Sequence, residues 1–314
     1  MATSGSTDFN RTGLQIITFA AKLLQVIPRG GSLSTAEVTD GTESLNLMIK
    51  TWGVEGLKLW IETEGRVFTV DSQAAYSLPG ANGCKISELS ETTLDADEAA
   101  SQTVLSVTST TQGAGFTDAD TIGIVLDDDT IHWTTIASSV TDDTVTVDTG
   151  LASAAASGNK VFAYTNAIER PLQIISARRL LSGQELSMFP WTRQEYFDQP
   201  NKTSAGTSTQ YFYDPQLTTG KLYLWQPPDT VDQMINITYK RTIEDFDADG
   251  NNPDFPQEWL EALGYNLAIR MAPQYGKTVP PDLLFTAQQM KEMLEDWSQE
   301  EQSIYFTAGS GWRR

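Results

Sequence analysis

The chain has 314 residues, 41 of them acidic and 21 basic, for a formal net charge of −20 and a sequence pI near 4.3. Proteins that hold nucleic acid by its phosphates set clustered Lys and Arg against them, so this balance speaks against that mode of binding. Aromatic residues at 10%, eight Trp among them, separate the chain from disordered sequences, and its length suggests about two domains.

The start, Met1 to Asp8, lacks the basic n-region of a secretory signal, so synthesis in a cytoplasm is expected. Ile16, Phe19, Ala20, Leu23, Leu24 and Ile27 recur at steps of three and four before Pro28-Arg-Gly-Gly31, which predicts an amphipathic helix. Gln15, Thr18, Lys22 and Gln25 interrupt that apolar run and exclude a membrane span. Ser34-Thr-Ala-Glu37 has the spacing of a capping box ahead of Leu45, Met48, Ile49 and Trp52, which predicts a second helix. Alternation then sets in: residues 66–70 and 75–78, joined by Asp71-Ser-Gln, read as a hairpin.

From about Thr93 to Thr165 Ser, Thr, Asp, Ala and Gly dominate, with short strands expected at 104–107, 121–126, 130–137, 144–147 and 160–164. The segment carries eleven acids and a single Lys, Lys160, which predicts a separate β module facing water. Residues 221–225 and 234–239 read as a further hairpin across Pro227-Pro228-Asp229. Asp254-Phe-Pro-Gln257 supplies an N-cap and a helix-tolerant proline ahead of Leu260, Leu263, Leu267, Ala268 and Met271. After Pro280-Pro281-Asp282, the residues Leu283, Ala287, Met290, Leu294 and Trp297 follow at alternating steps of four and three, as one helix face. The expected class is α+β, with an antiparallel four-helix bundle built by both chain ends (8–60 and 254–303) and a middle β-sheet region (61–92 and 166–245). These make up a core of 1–92 and 166–314, into which an all-β barrel or sandwich is inserted at 93–165.

Few residues invite chemistry. Asp245-Phe-Asp247-Ala-Asp249-Gly250 matches the opening of an EF-hand loop, but its twelfth position is Pro256 where a bidentate Glu belongs, and a strand precedes it. It reads as an acidic loop leading into a helix. Asp127-Asp128-Asp129 lies between two strands and reads as a hairpin turn; a glycosidase pair would need a cleft and a second carboxylate about 5–10 Å away. The single histidine, His132, has no nucleophile near it in sequence, and the single cysteine, Cys84, excludes an internal disulfide or a thiolate zinc site from this chain alone. With no phosphate-binding glycine loop, nucleophile elbow or metalloprotease pattern, no catalytic residue, cofactor or metal is assigned, and a non-enzymatic protein is expected. The aromatic runs Phe189-Pro-Trp191, Tyr196-Phe197 and Tyr211-Phe-Tyr213 read as core or subunit contact. The end of the chain differs in kind: Tyr305, Phe306, Trp312, Arg313 and Arg314 are of the types that anchor interfaces, and 304–314 is the candidate docking tail.

Three stretches together resemble one family. Ser44-Leu-Asn-Leu-Met-Ile-Lys-Thr-Trp52 with Glu55-Gly-Leu-Lys-Leu-Trp60 is the first. Asp245-Phe-Asp with Asp254-Phe-Pro-Gln-Glu-Trp-Leu-Glu-Ala-Leu263, Asn266-Leu-Ala and Ala272-Pro-Gln-Tyr-Gly276 is the second, and Ile304-Tyr-Phe-Thr with the basic end is the third. They are similar to the head-to-tail adaptors of short-tailed bacteriophages, the tail accessory factors of the P22 type, over roughly 10–92 and 166–314. The resemblance implies a virion protein forming a dodecameric ring under the portal, with helices in the tube wall and the C-terminal tail reaching along the portal. It also implies a role in extending the DNA channel, retaining the packaged genome and carrying tail nozzle and fibre proteins. Double-stranded DNA would pass without sequence-specific binding, and an acidic wall suits a conduit because attraction to phosphates would hinder a genome that must leave. The insertion at 93–165 has no counterpart in the minimal pattern. Two rival readings are a tail enzyme cleaving cell-wall glycan with paired carboxylates and a receptor-binding or carbohydrate-binding tail protein.

Overall fold

The computed structural model describes residues 5–28, 30–54, 59–111, 113, 115–141 and 143–297. In chain order they form α1 (Gly13–Leu23), α2 (Thr35–Val54), β1 (Glu62–Val67), β2 (Ala75–Leu78), β3 (Gly83–Lys85), β4 (Ser90–Thr93), β5 (Val104–Ser106), β6 (Thr121–Val125), β7 (Ile131–Thr141), β8 (Thr144–Val147) and β9 (Lys160–Tyr164). Then follow β10 (Gln173–Leu181), β11 (Gln184–Ser187), β12 (Phe189–Pro190), α3 (Arg193–Phe197), β13 (Gln210–Asp214), β14 (Gly220–Trp225), β15 (Met234–Lys240), α4 (Leu260–Met271) and α5 (Pro281–Trp297). The chain divides into a helical unit, from the residues before Glu62 and after Thr242, and a β unit, Glu62–Thr242.

In the helical unit, local chemistry sets where the first two helices begin. Gln15 N donates to Thr12 Oγ1 at 3.4 Å while Thr12 N donates to Gln15 Oε1 at 3.1 Å, a reciprocal cap for α1. Glu37 N donates to Ser34 Oγ at 3.4 Å, while Ser34 N and Ser34 Oγ donate to Glu37 Oε2 at 2.8 and 2.7 Å, and these last two bonds hold the Glu37 carboxyl below its ordinary value. The expected cap at Asp254 is not formed. Its carboxylate accepts from Glu244 N at 3.2 Å, and α4 is entered through a tight turn over Gln257–Trp259. The core joins Ile16, Ile17 and Ala20 of α1, Leu45, Met48 and Ile49 of α2, and Leu263, Leu267 and Met271 of α4. An aromatic group closes one end of it, with Trp259 ring centroids 5.9 Å from Trp52, 5.0 Å from Trp60 and 6.1 Å from Phe255.

The expected antiparallel four-helix bundle from both chain ends, and with it the α+β class drawn around it, is corrected. The described residues make a mixed α and β chain in which helix is the minor part beside three sheets. A bundle needs four comparable helices stacking continuous layers of apolar side chains. Here α1 and α4 are short, with 11 and 12 residues against 20 and 17 in α2 and α5. Much of the core volume is filled from outside the helices, by Ile61, Ile243, Phe246, Phe255 and Trp259.

The β unit opens with a five-stranded sheet, β11-β10-β15-β1-β3, and a four-stranded sheet, β12-β13-β14-β2. Val67, Ile235, Ile237 and Tyr239 from the first and Tyr76, Leu78, Tyr211, Leu222 and Leu224 from the second share one core. Neither hairpin expected here exists. β1 pairs with β15 and β3, while β2 pairs with β14, so each presumed hairpin is a passage from one sheet to the other. The two passages brace each other where Ser72 N donates to Pro228 O at 2.8 Å. The connections, residues 68–74 and 226–233, exceed the two to five residues of common hairpin loops, so nothing local forces the flanking strands to pair.

The third sheet, β4-β9-β6-β7-β8-β5, is antiparallel and encloses its own core of Leu105, Val107, Ile122, Ile124, Ile136, Val145, Val147 and Val161. It takes in Ser90–Thr93, and its two ends meet at a Leu94–Val107 bridge, where Thr108 N donates to Thr93 O at 2.9 Å. On its other side Phe162, Tyr164 and Val125 pack with Phe68, Cys84 and Met234 of the rest of the unit. Phe68 lies 4.5 Å from Phe162 and 5.3 Å from Trp133 by ring centroids.

Candidate interaction surfaces

The five residues assigned to docking, Tyr305, Phe306, Trp312, Arg313 and Arg314, lie outside the described residues, which end at Trp297. The helix leading to them is informative. The inward face of α5 is carried by Ala287 and Leu294, with Leu283 and Met290 half-buried against the core. Trp297, expected on that face, is 63% exposed, and with Phe285 at 68% and Met293 at 62% it belongs to a different stripe. Phe285, Gln289, Met293 and Trp297 stand four residues apart and form one ridge along the helix. Exposed Leu284 widens it, and the carboxylates Asp282, Glu292 and Asp296 flank it. Each large apolar side chain of this kind contributes about 1.5–3 kcal/mol when fully buried. Phe285 and Met293 were visible in the sequence as apolar residues off the inward pattern, a signal that reading one face alone passes over.

A second surface runs along α1. Phe9, Asn10, Arg11, Leu14, Thr18 and Lys22 are among the residues lining a groove of about 540 Å3. The Arg11 guanidinium carbon sits 4.8 Å from the Phe19 ring centroid and 5.7 Å from that of Phe9, which is itself exposed. Neither Arg11 nor Lys22 makes an ion pair among the described residues.

A third groove, of about 670 Å3, lies between α2 and the acidic segment 245–249, lined by Val38, Asn46, Leu47 and Lys50 on one side and Asp245, Asp247 and Asp249 on the other. The segment serves as a clamp. Asn46 Nδ2 donates to Phe246 O and Phe246 N donates to Asn46 Oδ1, each at 2.9 Å, while Lys50 Nζ pairs with Asp245 Oδ1 at 2.5 Å and donates to Ile243 O at 2.8 Å. Asp249 O and Asn251 O accept from Leu14 N and Gly13 N at 2.9 Å, satisfying amides that the first turn of α1 leaves without helical partners. The EF-hand-like opening thus presents backbone carbonyls to a helix. No group of three or more His, Cys, Asp or Glu able to hold a metal occurs among the described residues.

The remaining sequence candidates are structural. Asp127 Oδ1 accepts from Ala156 N at 2.8 Å and Asn159 Nδ2 at 2.9 Å. Asp128 accepts from Thr130 and from Ser153 Oγ at 3.0 Å, bonds that hold its carboxyl below the ordinary value, Thr130 contributing most. These carboxylates tie the β6–β7 turn to the 153–159 loop. His132 Nε2 lies 3.2 Å from Thr149 O on the neighbouring chain segment. Cys84 is buried on β3, and burial pushes its thiol up to about 12, so it is not a nucleophile. Tyr196, Phe212 and Tyr223 pack together over the four-stranded sheet, with Phe197 half-open above them and Trp191 5.1 Å from Trp225.

No helix among the described residues is long and apolar enough to cross a membrane. No protein-family model matches this chain, and no curated protein is similar to it in sequence.

Proposed function

We propose that this chain is a head-to-tail adaptor of a short-tailed bacteriophage, a non-enzymatic virion protein made in the host cytoplasm. In this reading twelve copies form a ring below the portal, extend the DNA channel, help to retain the packaged genome and present a platform for tail nozzle and fibre proteins. The tail 304–314 docks on the portal through Tyr305, Phe306, Trp312, Arg313 and Arg314. No cofactor, metal or membrane anchor takes part.

One observation carries the reading beyond the resemblance of residues 44–60 and 245–276. The last described helix leaves Phe285, Met293 and Trp297 in water along one ridge that Gln289 interrupts, and it precedes the proposed docking tail in sequence. Soluble proteins that act alone rarely leave such surface uncovered, whereas a subunit of a ring must. The carboxylates on which a glycan hydrolase would depend are engaged in holding a turn, which weighs against that rival.

Deleting 304–314 tests the docking part. Portal binding is expected to weaken while the far-ultraviolet circular dichroism spectrum is unchanged. Full affinity in the truncated chain would remove the tail from the mechanism.

A further inference from the structure

We infer that successive copies of this chain meet by seating the α5 ridge of one in the α1 groove of the next. The inference rests on the ring reading and names the contact that would build it.

The argument begins with α4, which both helices pack against. Gly264 faces α1: a Cβ at this position would overlap the Phe19 ring. Asn266 faces α5, its Nδ2 donating to Ala287 O at 3.3 Å. Two residues along an α-helix turn through about 200°, so α1 and α5 lie on opposite flanks of α4. The outer faces of α1 and α5 are therefore two different surfaces on two sides of the helical unit. A contact between them is heterologous, and such a contact repeats from copy to copy until it closes as a ring or runs on as a filament.

The two faces match in size and charge. At the rise of an α-helix the α5 ridge from Phe285 to Trp297 is about 18 Å long and the helical part of the groove, Leu14 to Lys22, about 12 Å, with Phe9, Asn10 and Arg11 extending it ahead of α1. The ridge is apolar with the carboxylates Asp282, Glu292 and Asp296 beside it; the groove is floored by Leu14 and Phe19 and holds the cations Arg11 and Lys22, neither in an ion pair among the described residues. A chain with 20 more acids than bases needs such local complementarity for its copies to approach each other. The same argument disfavours a symmetric contact of α5 with α5, which would set carboxylate against carboxylate.

Cysteine trapping in the full chain tests the contact, because the native Cys84 is buried and unreactive. Thr18→Cys places a thiol in the groove and Gln289→Cys one on the ridge, and a short bis-maleimide joins thiols that meet. The double variant should give a ladder of dimers, trimers and higher products, with portal or without. Each single variant alone should give none, and a mixture of the two should stop at dimers. In the double-cysteine background, Arg11→Glu with Lys22→Glu should lower the yield at least tenfold, and adding Asp282→Lys with Glu292→Lys should restore it.

Dimers from Gln289→Cys alone, absence of any ladder, or a ladder that appears only once residues 298–314 are deleted would each overturn the contact. The last of these would show the ridge to be covered by the chain's own end. Rings on the portal without the ladder would refute this contact and leave the adaptor reading standing. A ladder without portal binding would do the reverse.

Discussion

The two units of this chain treat apolar surface differently. In the β unit the exposed large apolar residues stand singly on separate elements: Val104 on β5, Ile175 on β10, Leu186 on β11, Phe189 on β12, Phe197 on α3 and Leu217 between β13 and β14. In the helical unit Phe9 and Leu47 are exposed singly, whereas Leu284, Phe285, Met293 and Trp297 all stand on one helix. Scattered exposure is ordinary, but a ridge is a surface awaiting a partner. The lesson is that the β unit disperses its uncovered apolar side chains, while the helical unit gathers four of its own on one helix, the surface to which the proposed assembly assigns a partner.

Substitutions that break one unit at a time test this contrast, beginning with the largest effect. Trp259→Ala removes the ring around which Trp52, Trp60 and Phe255 pack and should cost about 3–5 kcal/mol, read as an earlier denaturant midpoint of the helical unit. In the β unit, Gly123 lies against Trp133, which is packed on Phe68 and Tyr164, so a Cβ has nowhere to displace the indole. Gly123→Ala should cost about 1–3 kcal/mol. Gly264→Ala in α4 meets the half-buried Phe19 ring, which can turn toward solvent, and it also gains helix propensity, so its loss should be smaller. An equal loss at the two glycines would blur the contrast.

Alkaline pH should separate the units as well. Burial raises the Cys84 thiol from 9.0 to about 12 and the Tyr213 hydroxyl from 10.0 to about 12, and raises Tyr76, Tyr164 and Tyr239 further, all in the β unit. Above pH 9 the unfolded chain releases these protons while the folded unit keeps them, so the folded state binds more protons and stability falls as pH rises from about 9 toward 12. In the helical unit only Tyr275 is raised among the described residues for which a shift is resolved. Denaturation followed at pH 8 and pH 10.5 should show the β unit weakening more, and an equal decline would contradict this assignment.

The smallest effect on stability belongs to the ridge. Phe285→Ser with Met293→Ser should change the unfolding free energy by no more than about 0.5 kcal/mol, because both side chains already stand in water. The same pair should abolish ring formation on the portal. A large loss of stability would mean that the ridge is covered within the chain.

Local chemistry was readable in the sequence and long-range partnership was not. The cap at Ser34 and Glu37 depends on residues three apart, and β6, β8 and β9 lie on the segments expected at 121–126, 144–147 and 160–164, although only β8 alternates in burial, β6 and β9 being packed on both faces. β2, β14 and β15 lie where alternation puts them, whereas β1 (Glu62–Val67) begins four residues before the expected strand at 66–70, and both expected pairings fail because alternation marks a strand's faces without saying which strand lies beside it. Trp297 continues the spacing of Leu283, Ala287, Met290 and Leu294. However, Trp297 is exposed while Leu294, three residues earlier, is buried in the core, so the spacing marks a face of the helix but not where along it the core ends. The bundle was over-read for a related reason: helical periodicity reported four amphipathic helices, but not how much of their shared core the connecting segments would fill.

The most direct test is electron microscopy of the protein mixed with the portal protein that the adaptor reading assigns to it as partner. The account predicts closed rings stacked coaxially on one face of the portal, lost when 304–314 is deleted and lost as rings when Phe285 and Met293 are both changed to Ser. Dispersed single copies beside bare portals, at concentrations where both proteins are intact, would contradict it.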